Sequence, residues 1–378
     1  MSEQYNKFLS AKVRVFYSNV DTIDRGPKML GIDSRPLGLL RQGVDMIVLR
    51  DTTSNRGEWK NAKVAFGYLE SQVIWKSGDR EWLLSTTVEL EKVFCMISAR
   101  FICHQGVVIV PRVVTPEFVA VCNAHKLDFV GTDVNQHEGK SCLHTNKMVK
   151  DALTFEHCGV SVTTLRGISG ITRESLIKAS EEFRDTGVRK VMFKPKELEG
   201  GVGVQLIDLL SEKEGISSVP AQYSEMDWVL EEFIDDVQVT VVTTCWGGEV
   251  LSVSDQVQSG FCHTGNLFPS RTDAEVQEAC KIVCQKLSSL LDIECPWGID
   301  AILYLDENGN KQLAVVDINV ARFCGGHYPS LFGEARGISI KSWLVCKDDG
   351  STSKSALNSS KVTTKATGYS TLLHYILN

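Results

Sequence analysis

One stretch near the C-terminal end of the chain decides the fold: Trp297-Gly-Ile-Asp-Ala-Ile-Leu-Tyr-Leu-Asp-Glu-Asn-Gly-Asn-Lys-Gln-Leu-Ala-Val-Val-Asp-Ile-Asn319. Its Asn308-Gly309 pair is a strong signal for a β-hairpin, because both positions of a two-residue turn need a positive φ. Such a turn also sets the register of the two strands. In that register Asp300 faces Asp317.

Two carboxylates and one amide share a face of the predicted hairpin. Asn319 lies two residues beyond Asp317, so both side chains project to the side on which Asp300 lies. Opposed carboxylates about 5 Å apart repel by roughly 3 kcal/mol at an effective dielectric of about 20. A retained proton or a hard cation relieves that repulsion, and Mg²⁺ prefers such oxygen ligands. We therefore predict Asp300, Asp317 and Asn319 as Mg²⁺ ligands; the alternative is a solvated face paired with lysine.

The hairpin is followed by Val320-Ala-Arg322-Phe-Cys-Gly-Gly-His327. A fixed Arg322 guanidinium can hold a phosphate or a carboxylate through two parallel hydrogen bonds. The alternative is a surface arginine in a glycine turn. Cys324 and His327 resemble a thiol nucleophile and its base, but spacing alone is weak support and no third orienting group is evident.

A second region points to phosphate binding. Lys194 ends an apolar strand, and Gly200-Gly201-Val-Gly203 begins six residues later. Glycines let backbone N–H groups approach phosphate oxygens, and a lysine adds positive charge. The region matches neither a Walker A loop nor a dinucleotide-binding fingerprint, so those two readings are excluded. A simple hairpin turn is the alternative.

Two further segments carry charge. Asn146-Lys147 begins a predicted helix, where an exposed lysine is the alternative to a ligand-binding one. The predicted strand Trp228-Val-Leu-Glu231-Glu232-Phe233-Ile234 ends in two acids, which charges on an edge strand would equally explain. Neither segment identifies a site by itself.

Taken together and in order, these segments resemble the ATP-grasp superfamily over about residues 130–335. The shared pattern is a lysine at the start of a lid domain, a strand with Lys-Pro and a glycine loop, and a Glu-x-Phe-Ile hinge. An aspartate and an acid-x-Asn hairpin with a nearby arginine complete it. The order and spacing of the elements carry the resemblance.

The resemblance implies two α+β subdomains that hold ATP and Mg²⁺ between them. The lysines would contact the phosphates, the glycine loop would close over them, and the acidic hinge would meet the adenine through one side chain and backbone groups. The implied nucleotide-binding residues are Lys147, Lys194, Gly200, Gly201, Gly203, Glu231, Glu232, Phe233 and Gln238.

The resemblance also implies an activity. Family members typically convert a carboxylate to an acyl phosphate, which an amine attacks with release of ADP and phosphate. Lys194 and Arg322 would be the catalytic residues, since they offset charge on the phosphoryl group and on the oxyanion. The expected partners are small amino-acid-like carboxylates and amines, and a homodimer is common among relatives. The alternatives are a small-molecule phosphotransferase of the same fold and a non-catalytic ATP-binding module.

Some positions depart from the family pattern. Gln238 stands where many relatives have a ribose-binding glutamate, and Asn146 stands where aspartate often precedes the lysine. Asp317 replaces the commoner glutamate, and one additional residue separates Asn319 from Arg322.

The N-terminal third alternates strand-like and helix-like segments, which predicts a parallel α/β layer. Three of its segments are similar to the start of the pheganomycin-type peptide ligases: Arg14 to Val20, Arg35-Pro-Leu-Gly-Leu-Leu-Arg-Gln-Gly43 and Asp45-Met-Ile-Val-Leu49. This similarity implies a Rossmann-like pre-ATP-grasp domain. The predicted fold class is therefore α/β plus α+β. The predicted domains are a pre-ATP-grasp domain at 1–130, a lid at 131–228, a C-terminal subdomain with the Mg-ATP site at 229–346 and a polar extension at 347–378.

Composition excludes several other classes. The chain has 378 residues, a formal net charge of -7 and no basic run, so it lacks the electrostatic signature of a nucleic-acid binder. No apolar run approaches the roughly 20 residues that span a bilayer, and the first residues lack the pattern of a secretory signal. Twelve scattered cysteines indicate reduced thiols. We expect a cytoplasmic protein with no nucleic-acid or membrane partner.

Overall fold

The computed structural model describes residues 3–17, 39–50, 53–67, 69–76, 91–92, 94–97, 106–111, 114, 116–131, 142–196, 203–211, 215–335, 340–347 and 371–377. These residues form three β-sheets with helices packed against them. Residues 18–20 and 35–38 of the N-terminal motifs, the predicted phosphate-binding Gly200 and Gly201, and residues 348–370 of the polar extension lie outside the described residues.

The first sheet is parallel. Its strands are β1 Val13–Tyr17, β2 Met46–Arg50, β3 Val73–Lys76, β4 Val107–Pro111 and β5 Asp128–Phe129. They lie in the order β3-β2-β1-β4-β5. Strand β4 is buried at every position, as expected for parallel strands that are covered on both faces. Accompanying helices are α1 Glu3–Ser10, α2 Thr53–Phe66, the 3₁₀ turn Glu70–Gln72 and α3 Pro116–Ala124.

The second sheet is smaller and antiparallel. The chain reaches it through helix α4 Lys147–Ala152 and strands β6 Phe155–His157 and β7 Val160–Thr164. Its own elements are β8 Gly167–Gly170, α5 Arg173–Asp185, β9 Lys190–Pro195, β10 Gln205–Asp208, the 3₁₀ turn Ile216–Ser218, α6 Ala221–Ser224 and β11 Trp228–Glu232. The strands lie in the order β10-β9-β11-β8, and the apolar side of α5 packs on them through Leu176 and Phe183.

The third sheet has nine strands and takes in β6 and β7. Its remaining elements are β12 Val237–Trp246, β13 Glu249–Ser259, β14 Cys262–Phe268, α7 Ala274–Leu290, β15 Pro296–Leu305, β16 Lys311–Asn319, α8 His327–Ala335, β17 Ile340–Lys347 and β18 Thr371–Leu377. The order is β18-β17-β14-β13-β12-β15-β16-β7-β6. Strands β16 and β7 run parallel, and the other paired neighbours run antiparallel.

The hairpin of β15 and β16 pairs as the sequence predicts at the positions of the predicted metal ligands. Asp300 is opposite Asp317, and Gly298 is opposite Asn319. Because directly opposed residues project to the same side, Asp300, Asp317 and Asn319 lie together on one face of the sheet.

The turn of this hairpin is wider than the predicted two-residue turn. Leu305 and Lys311 form the last pair, which leaves the five residues 306–310 in the loop. Among these, Gly309 alone has a positive φ, 81°. The predicted turn, which needs two consecutive positive φ angles, is therefore wrong.

A β-bulge at Val316 restores the predicted pairing. Ala301 is opposite Val315, whereas the adjacent Asp300 is opposite Asp317, so Val316 is an extra residue in β16. A bulge of this kind shifts the register by one residue, which compensates for the wider turn. The carboxylates meet because two departures from the predicted geometry cancel.

Helix α1 joins the first sheet to the third. The ring centroids of Tyr5 and Phe8 lie 4.9 and 4.8 Å from that of Trp246, at the end of β12. The Tyr5 hydroxyl donates to Glu334 Oε2 at 2.7 Å. These rings share an apolar cluster with Phe323, so the N-terminal layer packs directly on the third sheet.

The architecture confirms the predicted fold class, a parallel α/β layer followed by α+β sheets. The predicted domain boundaries stay predictions: β6 and β7 belong to the third sheet by pairing, and β18 adds residues of the predicted polar extension to it. None of the helices that the structure describes is long and apolar enough to cross a membrane.

A buried ion network fixes the start of β2 against β1. Asp45 is fully buried and accepts from Arg14 Nη2 at 2.6 Å and from Arg41 Nη2 at 2.7 Å. The same guanidinium groups donate to Leu39 O and Ala11 O. Burial works to raise the pKa of Asp45, but the hydrogen bonds from Arg41 and Arg14 outweigh it and hold that pKa below its usual range.

Replacing Asp45 by asparagine is expected to lower the free energy of unfolding by about 3 kcal/mol at pH 7, because the buried guanidinium group loses its counter-charge. Urea denaturation measures the change. Asp128→Asn is the control, since it removes an exposed pair with Lys7 and is expected to cost under about 1 kcal/mol. Equal losses for the two variants would contradict the prediction.

Candidate functional site

The face of the β15–β16 hairpin that carries the predicted metal ligands is rich in unsatisfied oxygen. Asp317 Oδ1 and Asn319 Oδ1 are buried and accept no hydrogen bond from the described residues. A buried acceptor without a donor is destabilising, and a hard cation satisfies oxygens of this type. The face formed by Asp300, Asp317 and Asn319 therefore fits a Mg²⁺ ion.

The loop that carries Arg322 packs against β15 at a glycine. A Cβ atom on Gly298 would lie 2.8 Å from Thr243 O and 3.1 Å from Cys324 Sγ, so only a glycine leaves room for the loop. The backbone N–H of Arg322 donates to Pro296 O at 3.1 Å. These contacts place the partly buried Arg322 directly beyond the face that carries the predicted metal ligands Asp300, Asp317 and Asn319.

Cys324 and His327 do not form a nucleophile and base. His327 Nδ1 accepts from the backbone N–H of Cys324 at 2.9 Å, and Nε2 donates to Cys245 O at 2.9 Å. Burial lowers the pKa of His327 to about 4. Both nitrogens of the neutral ring are therefore engaged in hydrogen bonds with backbone groups. The ring fixes the loop to β12.

Lys194 connects the second sheet with the β15–β16 hairpin. Lys194 of β9 and Glu231 of β11 are diagonal neighbours on one face of that sheet. The lysine Nζ donates to Glu231 Oε2 and, at 3.2 Å, to Val316 O. Val316 is the bulge residue next to Asp317, so the predicted phosphate-binding lysine lies beside the predicted metal site.

Glu231 is an ionised carboxylate in the interior. Its side chain is 2% exposed, and its Oε1 lies 3.2 Å from His144 Nε2. Burial works to raise the pKa of Glu231, but the charge of Lys194 and the contact with His144 outweigh it and lower that pKa. The sequence analysis did not identify His144. The one indication in the sequence was that this polar residue lies three positions before Lys147.

Lys147 lies at the start of helix α4 and points to solvent. Its side chain is 86% exposed, and its ammonium pairs with Asp151 of the same helix. The preceding Asn146 caps the helix by accepting from Met148 N at 2.9 Å. Asparagine and aspartate are equally good N-caps, which explains the departure at position 146.

Backbone groups of Glu232 and Phe233 are predicted to meet the adenine, and the N–H groups of both residues already have acceptors. Glu232 N donates to Arg166 O at 2.9 Å, and Phe233 N donates to Lys190 O at 3.1 Å. An adenine that used these groups would have to replace those bonds. The Phe233 ring meets Phe261 edge-on, with centroids 6.2 Å apart.

Two more predicted positions have a clear structural setting. Gly203 has a φ of 74°, and a Cβ atom there would lie 2.9 Å from Pro195 Cγ. This conformation requires glycine at the end of the loop. Gln238 is exposed and lies in a bulge of β12, between Val237 and Val239.

The ATP-grasp domain family matches residues 138–326, half of the chain. The chain therefore belongs to the ATP-grasp family, as the sequence predicts. No curated protein matches the sequence.

Solved structures show the same fold along nearly the whole chain. Biotin carboxylase from Campylobacter jejuni in a β,γ-ATP complex is 12% identical, with a TM-score of 0.61 over 98% of this chain and 88% of that chain. The biotin carboxylase domain of 2-oxoglutarate carboxylase from Hydrogenobacter thermophilus is 13% identical, with a TM-score of 0.61 over 97% and 87%. N5-carboxyaminoimidazole synthetase from Staphylococcus aureus with ADP is 14% identical, with a TM-score of 0.55 over 96% and 93%. These likenesses confirm the predicted fold.

The neutral His327 is expected to make stability depend on pH. The folded state has a pKa of about 4 for His327, whereas the unfolded chain takes up the proton near pH 6.5, so acid favours unfolding. Because of this histidine, lowering the pH from 7 to 5 should decrease the free energy of unfolding by about 2 kcal/mol. Urea denaturation at both pH values should show a loss smaller by that amount in His327→Gln. Identical losses in the variant and the wild type would contradict the assignment.

Proposed function

We propose that the protein is an ATP-dependent ligase that activates a small-molecule carboxylate as an acyl phosphate and joins it to an amine, releasing ADP and phosphate. The observation that carries the proposal is the oxygen-rich face of Asp300, Asp317 and Asn319 beside Lys194. Membership of the ATP-grasp family supports ATP as the second substrate.

Asp300, Asp317 and Asn319 would hold Mg²⁺ through their side-chain oxygens. A Mg²⁺ ion at this place would neutralise negative charge on the nucleotide phosphates. The Hydrogenobacter thermophilus relative was solved with MgADP, which supports a magnesium nucleotide here.

Lys194 would bind a phosphate of the nucleotide. Its ammonium lies between the second sheet and the hairpin, and its side chain is 24% exposed, so it remains within reach of a ligand. A lysine there offers positive charge where the phosphoryl group develops negative charge. The other nucleotide contacts stay predictions: Lys147, Gly200, Gly201, Gly203, Glu231, Glu232, Phe233 and Gln238.

The carboxylate and the amine would bind on the Arg322 side of the hairpin. The loop after Arg322 packs on β14, because a Cβ atom on Gly325 would lie 2.5 Å from Asn266 Oδ1. That oxygen accepts from His263 Nε2 at 2.8 Å. Arg322 therefore begins a loop that reaches polar side chains, and we assign it to the carboxyl group and its oxyanion.

We further propose a cytoplasmic, homodimeric enzyme without nucleic-acid or membrane partners. The nine cysteines whose side chains the structure describes are free thiols, which supports a reducing compartment. The Hydrogenobacter thermophilus domain was solved as a dimer, which supports the dimer.

Turnover assays with pooled substrates test the activity. The protein is incubated with Mg-ATP and pools of carboxylic acids, with and without amines, and ADP and product masses are measured. A ligase forms ADP and a condensed product only when both substrates are present. A stable phosphoester from a single substrate identifies a phosphotransferase instead, and ATP binding without turnover identifies a non-catalytic module.

Replacing Asp317 by asparagine is expected to reduce Mg-ATP turnover on the order of 100-fold, because a charge that holds the metal is lost. Steady-state kinetics over a range of Mg²⁺ concentrations measures the effect. Glu307→Gln is the matched control, since Glu307 is an exposed acid in the turn of the same hairpin, and its turnover should match the wild type. Turnover of Asp317→Asn within about twofold of the wild type would remove this residue from the metal site.

A further inference from the structure

We propose that His144 is a positioning residue of the nucleotide site, which holds Glu231 so that Lys194 can leave that carboxylate for a phosphate. The inference rests on the proposed function, because it needs a nucleotide at Lys194.

His144 occupies a gap that a glycine leaves in the second sheet. Gly167 of β8 is directly opposite Glu231 of β11, so the two positions share one face. A Cβ atom on Gly167 would lie 2.2 Å from His144 Nδ1 and 2.3 Å from Cε1. The imidazole thus fills the space of the missing side chain and reaches Glu231 from there.

One of the two ring nitrogens of His144 is better placed than the other to carry a proton. Nδ1 is buried and has no hydrogen-bond partner among the described residues. A proton on Nδ1 would therefore lack an acceptor, whereas Nε2 lies 3.2 Å from Glu231 Oε1, a contact that is not aligned well enough to be a full hydrogen bond. Nε2 is consequently the ring nitrogen that can direct a proton toward the carboxylate.

The two residues that contact Glu231 differ in their freedom to move. His144 is fixed, with a side chain 2% exposed, whereas the Lys194 side chain is 24% exposed. Lys194 also contacts Val316 O, beside the face that carries the predicted metal ligands. The lysine can therefore exchange its carboxylate partner for a phosphate while it stays next to the hairpin.

His144 lowers the free-energy cost of that exchange. When Lys194 leaves, Glu231 remains a buried carboxylate, and a buried charge without a partner is strongly unfavourable. With His144 in place, Oε1 keeps a ring nitrogen 3.2 Å away that can donate to it. Without it, Lys194 is the remaining partner seen in the structure and is held on Glu231.

Affinities for MgADP and for adenosine, measured on the full-length protein, test the proposal. His144→Leu keeps the volume but removes the N–H, and it should weaken MgADP binding about 10-fold or more while adenosine binding, measured by competition, stays within about threefold. His144→Gln keeps an N–H near the Nε2 position and should bind both ligands like the wild type. His157→Leu, in β6 and partly buried, is the matched control and should change neither affinity.

The outcomes separate the possible failures. MgADP affinity of His144→Leu equal to that of the wild type, or equal losses for MgADP and adenosine, overturns the role of His144. His144→Asn, whose shorter amide does not reach Glu231, replaces His144→Leu if circular dichroism shows that the leucine variant is unfolded, and the same two results overturn the proposal. Wild-type protein that binds no MgADP overturns the proposed function itself.

Discussion

The contact of Lys194 Nζ with Val316 O is the interaction on which the site depends, because it joins the second sheet to the hairpin. Val316 is the extra residue of a bulge, and the extra residue of a bulge is left unpaired in the ladder. The same bulge brings Asp300 opposite Asp317. One irregularity in β16 therefore aligns the acids and presents the carbonyl that receives the lysine.

Two of the buried carboxylates that the structure describes are neutralised in different ways. Asp45 is enclosed by Arg14 and Arg41, whose guanidinium groups are themselves held by backbone carbonyls. Glu231 is held by a fixed histidine and by Lys194, which is partly exposed. The first arrangement is rigid and belongs to the fold. The second arrangement leaves one cation able to change partners, which a binding site requires.

Local patterns in the sequence predicted much of the fold, and long-range contacts limited the prediction of the site. Apolar periodicity identified the strands, and the order of motifs identified the family. The facing of Asp300 and Asp317 was predicted from a turn that is not formed, and the result held because the bulge compensated. The role of His144 could not be predicted, because it depends on contacts with Gly167 and Glu231, which are distant in the chain.

The apolar interior is divided unequally among the three sheets. Two clusters mix residues of the first and third sheets, as when Phe16 and Trp246 share one cluster. The cluster under the second sheet draws only on its own elements, among them Phe183, Phe193 and Trp228. A unit with its own core can open and reclose as a cooperative block while the rest stays folded. The sheet that carries Lys194 can thus admit a ligand without loosening the sheet that carries the acids.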